Sequence, residues 1–115
     1  MRNSQTPFPI DVRTGWVDYS PALLDHTSQR ARSRLSRFAS CIRSVTVRIA
    51  NAEPHNSNHR RCHLEVITTD AGPISASTVG VDLFTIVDRT VDTVAEMVRE
   101  RLNGIPDSAR HRRIA

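Results

Sequence analysis

His55, His59, Cys62 and His63 lie in one short stretch, the densest group of potential metal ligands in the chain. Zinc takes Cys sulfur and His nitrogen in a tetrahedral set with recurrent ligand spacings, and this spacing matches no familiar zinc motif. On a strand, the adjacent Cys62 and His63 point to opposite faces, while His55 and His59 fall in a polar connection. The expectation is therefore no metal and no cofactor, and the same geometry argues against a Cys–His nucleophile. There is no Gly-rich phosphate loop, no pair of carboxylates in a pocket pattern and no Ser/His/Asp set with suggestive context, and four glycines in total leave little for one. An enzyme is not expected.

The charged residues offer a second kind of chemistry. All 16 basic residues are arginine, for a net charge of +4, and the guanidinium favours planar, bidentate contacts to phosphate or carboxylate. A genomic codon bias gives the same composition, so the absence of Lys decides nothing alone. Position says more. Arg30, Arg34 and Arg37 follow i, i+4, i+7 on a helical pattern, with Arg32 on the opposite edge and Asp25 as the one acid between Ser20 and Arg43. Such a row can bracket successive phosphates of an A-form RNA, with affinity from counterion release and shape rather than base reading; the alternative is a solvated face. Arg13 and Arg48, on strand patterns, are further candidates. Asp88, Asp92, Glu96 and Glu100 repeat every four residues in a later helical pattern. That row repels RNA, and it reads either as a salt-bridged solvent face or as a surface that docks a protein partner or a second copy of the chain. Trp16 and Tyr19 either cap the core or stack on an exposed base.

The elements that must position these groups follow from periodicity. Residues 1–8 carry two prolines and no period, and read as a disordered leader. Ile10 and Val12 alternate with Asp11 and Arg13 as a short strand ending at Thr14-Gly15. Ser20-Pro21 offers an N-cap hydroxyl and a first-turn proline, opening a helix whose stripe of Leu24, Thr27, Ala31, Leu35 and Phe38 ends near Phe38. Ile42 to Ile49 alternates as a second strand, and Asn51 to Asn58 reads as a polar connection. Cys62, Leu64 and Val66 give a third strand. Asp70-Ala71-Gly72-Pro73 is turn chemistry, and Ile74 to Thr78 forms a fourth strand closed by Gly80. From Asp82, a stripe of Phe84, Val87, Val91, Val94, Val98 and Leu102 marks a helix of about five turns, ended by Asn103-Gly104 and Pro106.

The order β-α-β-β-β-α predicts an α/β domain, an α+β two-layer sandwich with a four-stranded sheet and both helices on one face. Asp11, Arg13, Thr46, Arg48, Arg61, His63 and Glu65 then point to the open face, which should be wet and roughly charge-balanced. Residues 9–104 form the domain and 105–115 an Arg-rich flexible tail. The chain's 115 residues suit one core, and no apolar run approaches a membrane span. The start lacks the pattern of a secretion signal, and Cys41 and Cys62 read as small buried side chains rather than a disulfide. A cytoplasmic protein with no membrane association is expected.

From Ile10 to Leu102 the chain resembles the ribosome hibernation factors, also called the sigma-54 modulation or ribosome-associated inhibitor family. The resemblance rests on Thr14-Gly15 closing the first strand, on Ser20-Pro21-Ala22-Leu23 opening the first helix, and on Asp82-Leu83-Phe84-Thr85-Ile86-Val87-Asp88 opening the second. It implies the fold derived above and non-enzymatic binding to the small ribosomal subunit and its RNA, so that translation pauses under stress. The acidic second helix departs from the family, whose members usually carry Lys and Arg there.

Overall fold

The computed structural model describes residues 8–14, 20–53 and 56–103. Expectations for Trp16, Tyr19, His55, the Gly104 and Pro106 stop and the 105–115 tail lie outside the described residues. The elements are β1 (Ile10–Thr14), α1 (Pro21–Leu35), a 3-10 turn (Ser36–Cys41), β2 (Ile42–Glu53), β3 (Asn56–Thr68), β4 (Pro73–Gly80) and α2 (Leu83–Asn103). The strands form one sheet in the order β1-β2-β3-β4, with β1 parallel to β2 and both later pairs antiparallel. The fold is the two-layer α+β sandwich anticipated from the element order.

Alternation selects the buried face. Val45, Val47 and Ile49 of β2 stand opposite Val66, Leu64 and Cys62 of β3, and all six are buried. Ile10 and Val12 extend these rows into β1, as Ile74 and Ala76 do into β4. Both helices lie over this face, α2 above β3 and β4, α1 above β1 and alongside α2. Their contribution is Leu23, Ala31 and Leu35 from α1 and Ile86, Val87, Val91, Val94, Ala95, Val98 and Leu102 from α2. Two buried hydroxyls find partners within their own helices: Thr27 Oγ1 donates to the Leu23 carbonyl at 2.8 Å and Thr90 Oγ1 to that of Ile86 at 2.6 Å. Neither leaves an unsatisfied group in the core.

The helix starts follow capping chemistry. Ser20 Oγ accepts from the Leu23 N–H at 3.1 Å, with Pro21 in the first turn. Asp82 caps α2, accepting from the Phe84 N–H at 3.3 Å and from Thr85 Oγ1 at 2.5 Å. In the β3–β4 turn, Thr68 Oγ1 donates to the Gly72 carbonyl and accepts from the Ala71 N–H, both at 2.8 Å, and Gly72 takes φ +73. That left-handed conformation suits a residue without a Cβ.

Several boundaries differ from expectation. The first helix stops at Leu35 and continues as a 3-10 turn in which Phe38 leaves helical geometry at φ −106, ψ 16. Leu23 rather than Leu24 joins its buried stripe. Most of the expected polar connection at Asn51 to Asn58 is strand, with β2 running to Glu53 and β3 starting at Asn56, because ladder hydrogen bonds come from the backbone and need no apolar side chain. Phe84 lies outside the buried stripe at 42% exposure. Phe8, read as the end of a leader, is in the core at 1% exposure.

Candidate nucleic-acid interface

The two charged rows meet. β2 and β4 run the same way and each helix returns antiparallel to a strand, so α1 and α2 run parallel. Residues four apart on each helix then advance together. His26 Nε2 lies 2.7 Å from Asp88 Oδ1 and Arg30 Nε 3.5 Å from the same oxygen. One turn on, Arg30 Nη2 donates to both Asp92 oxygens at 3.3 and 3.4 Å, and Arg34 Nε donates to Asp92 Oδ1 at 2.9 Å. The His26 ring also packs edge-on to Phe84, with centroids 5.0 Å apart. This occupies part of the Phe84 surface and accounts for its place at the helix–helix border rather than in the core.

The row of arginines and the row of acids are thus two sides of one ladder, and the expected free cationic ridge is largely neutralised. Arg30 and Arg34 are held by carboxylates. Arg37 falls in the 3-10 turn, off the helical line, where its guanidinium stacks over the Phe38 ring at 5.8 Å. Arg32 turns inward to Phe8, over its ring at 5.4 Å and donating to its carbonyl at 3.3 Å. The acidic row is equally committed: Asp88 and Asp92 to α1, and Glu96 to Arg99 within its own helix. The Arg99 hydrogen bond draws the Glu96 carboxyl below its usual range and holds Arg99 above its own. Of the four acids, Glu100 has no ion pair among the described residues.

The open sheet face holds the remaining sequence candidates. Arg13 Nε donates to Asp11 Oδ2 at 2.7 Å. Arg48 is exposed, and no carboxylate of the described residues comes within ion-pair distance of it. Arg61, placed on this face from the alternation but not taken as a binding residue, is in the same state. Cys62 and His63 alternate as expected. Cys62 is buried, and burial pushes its thiol up to about 11. His63 Nδ1 is 2.7 Å from Ser77 Oγ on the opposite face. Cys41 and Cys62 are both free thiols, and Cys41 is half-buried. Among the described residues no three His, Cys, Asp or Glu side chains are grouped to hold a metal, and no helix is long and apolar enough to cross a membrane.

The ladder was legible only in part. A four-residue spacing of opposite charge in two helices signals it, provided the helices are known to lie parallel and in register.

No protein-family model and no curated protein matches the sequence. Solved structures do match. A ribosomal subunit interface protein from Coxiella burnetii superposes with a TM-score of 0.68, over 80% of this chain and 94% of that one, at 18% identity. The N-terminal domain of Protein Y from Thermus thermophilus gives 0.65, over 78% and 93%, at 19% identity. The likeness is one of fold, carried across nearly the whole of both relatives.

Proposed function

We propose that the chain is a ribosome hibernation factor that binds the small ribosomal subunit without catalysing a reaction, contacting RNA phosphates through arginine and pausing translation under stress. The observation that carries this reading is the fold shared with a protein of the ribosomal subunit interface over 94% of that protein's length. The family resemblance in the Thr14-Gly15, Ser20-Pro21 and Asp82 to Asp88 segments supports it, and the net charge of +4 is compatible with a polyanionic partner. The compartment it requires is the cytoplasm.

The ion pairs rank the contact residues. Arg37 and Arg48 reach a phosphate without leaving a carboxylate. Arg13, Arg30 and Arg34 must give up Asp11, Asp88 or Asp92, and Arg32 must leave Phe8. A protein-docking surface made of Asp88, Asp92, Glu96 and Glu100 loses support for the same reason, because three of the four acids already hold a cation.

Co-sedimentation with purified small subunits at stepped salt tests the proposal. Binding at low salt should weaken steadily as salt rises, with log affinity falling by about 0.7–0.9 per log unit of salt for each phosphate contacted. No association at low salt, or association indifferent to salt, overturns it.

A further inference from the structure

We propose that the RNA-binding surface of this chain is the end of the open sheet face formed by Arg48, Arg61 and His63, with Arg13 at its edge, rather than the row of Arg30 and Arg34 on the first helix. This deepens the proposed function and rests on it. Strand register puts Arg13 of β1 beside Arg48 of β2, Arg48 beside His63 of β3, and His63 beside Ser77 of β4. With strands about 4.8 Å apart, that row crosses the sheet over roughly 14 Å. Arg61 is diagonal to Arg48, stands between Ala50 of β2 and Val79 of β4, and is exposed.

Charge is sorted along this face rather than balanced across it. The acids occupy the neighbouring row: Asp11 is bound by Arg13 at 2.7 Å, and Glu65 stands opposite Thr46 and Ser75. The cations gather toward the β2–β3 hairpin. Arg13 and Arg48 hold neighbouring positions of the parallel pair, and Arg48 has no carboxylate within ion-pair distance among the described residues. A polyanion lying across the strands fills the donors. On the helix face Arg30 and Arg34 already hold Asp88 and Asp92. Few aromatics are available for stacking and none lies on these rows, so the ligand is read through its phosphates, with Ser77 and Thr46 hydroxyls beside the arginines.

The test compares the full chain with the double variant Arg48→Glu/Arg61→Glu, each titrated against purified small subunits at stepped salt. Both sheet residues are exposed, so thermal unfolding should match the parent and serves as the folding control. Loss of two phosphate contacts should weaken binding roughly 25- to 60-fold at 0.1 M salt and lower the salt slope by about 1.4–1.8. Arg48→Lys/Arg61→Lys should keep the slope. If the parent binds and the double reversal binds as well with an unchanged slope, the sheet-face assignment is wrong while the ribosomal reading stands. If the parent does not bind at all, the ribosomal reading fails first. If the reversal weakens binding to intact subunits but leaves binding to protein-free subunit RNA untouched, the face meets a protein, and the RNA assignment is overturned.

Discussion

Asp92→Asn removes the charge on which Arg30 and Arg34 converge while preserving side-chain shape. The three side chains are 39–45% exposed, so each pair belongs to the surface class worth about 0.2–1 kcal/mol. Losing both pairs, and leaving two arginines at i, i+4 to repel by about 0.2–0.5 kcal/mol, costs about 1 kcal/mol. In a domain of this size that lowers Tm by roughly 4–6 °C. Thermal unfolding followed by circular dichroism measures it, at low salt and again in 1 M salt, where the Debye length falls to about 3 Å and most of the difference should vanish. A double-mutant cycle with Arg34→Ala should return a coupling of about 0.3–1 kcal/mol at low salt. An unchanged Tm at low salt, or a drop that survives undiminished in 1 M salt, would refute the claim that matched charge holds α1 against α2. The ladder also means that reversing Arg30 and Arg34 to Glu would set carboxylates against Asp88 and Asp92, so that variant should lose stability as well as charge.

Three further outcomes follow from local geometry. A Cβ on residue 80 would sit 2.6 Å from Ile86 Cγ2, so Gly80→Ala should cost about 1–3 kcal/mol in denaturant unfolding; an unchanged midpoint would show that α2 can shift away from β4 freely. Ser20→Ala removes the hydroxyl that caps α1 and should cost about 1 kcal/mol, whereas Ser20→Asp should retain most of the stability. Burial raises the Cys62 thiol from 9.0 to about 11, so the folded state keeps it neutral where the unfolded chain ionises it. The stability this lends is complete below about pH 9 and is lost as pH climbs toward 11. Cys62→Ala should flatten that alkaline decline in a stability-versus-pH series, and an identical slope in both proteins would contradict it.

The elements were readable wherever one face is apolar. The alternation of Val45, Val47 and Ile49 and the 3.6-residue stripe from Val87 to Leu102 each specify a buried face, and both segments adopt the predicted structure. The two ends of Asn51 to Asn58 were misread because the sequence there has no apolar alternation, while the pairing that extends β2 and β3 is made by peptide groups. The charged site was half readable. Its residues were identified, but their partners lie 58 to 62 positions away, and only the parallel course of the helices brings them together. Periodicity within one segment reports which face is polar; it does not report what stands across from it. Phe8 escaped for a related reason, since a lone aromatic between prolines has no period to betray its burial.

That aromatic belongs to the folded unit although it precedes the first strand. With its ring inside the core and the Arg32 guanidinium lying over it, Phe8 acts as a plug ahead of the first strand. A truncation made at Ile10, the first position a strand-based boundary would choose, would keep every strand and helix yet leave the interior open at one end and Arg32 without a seat. Fusions and tags therefore belong upstream of Phe8.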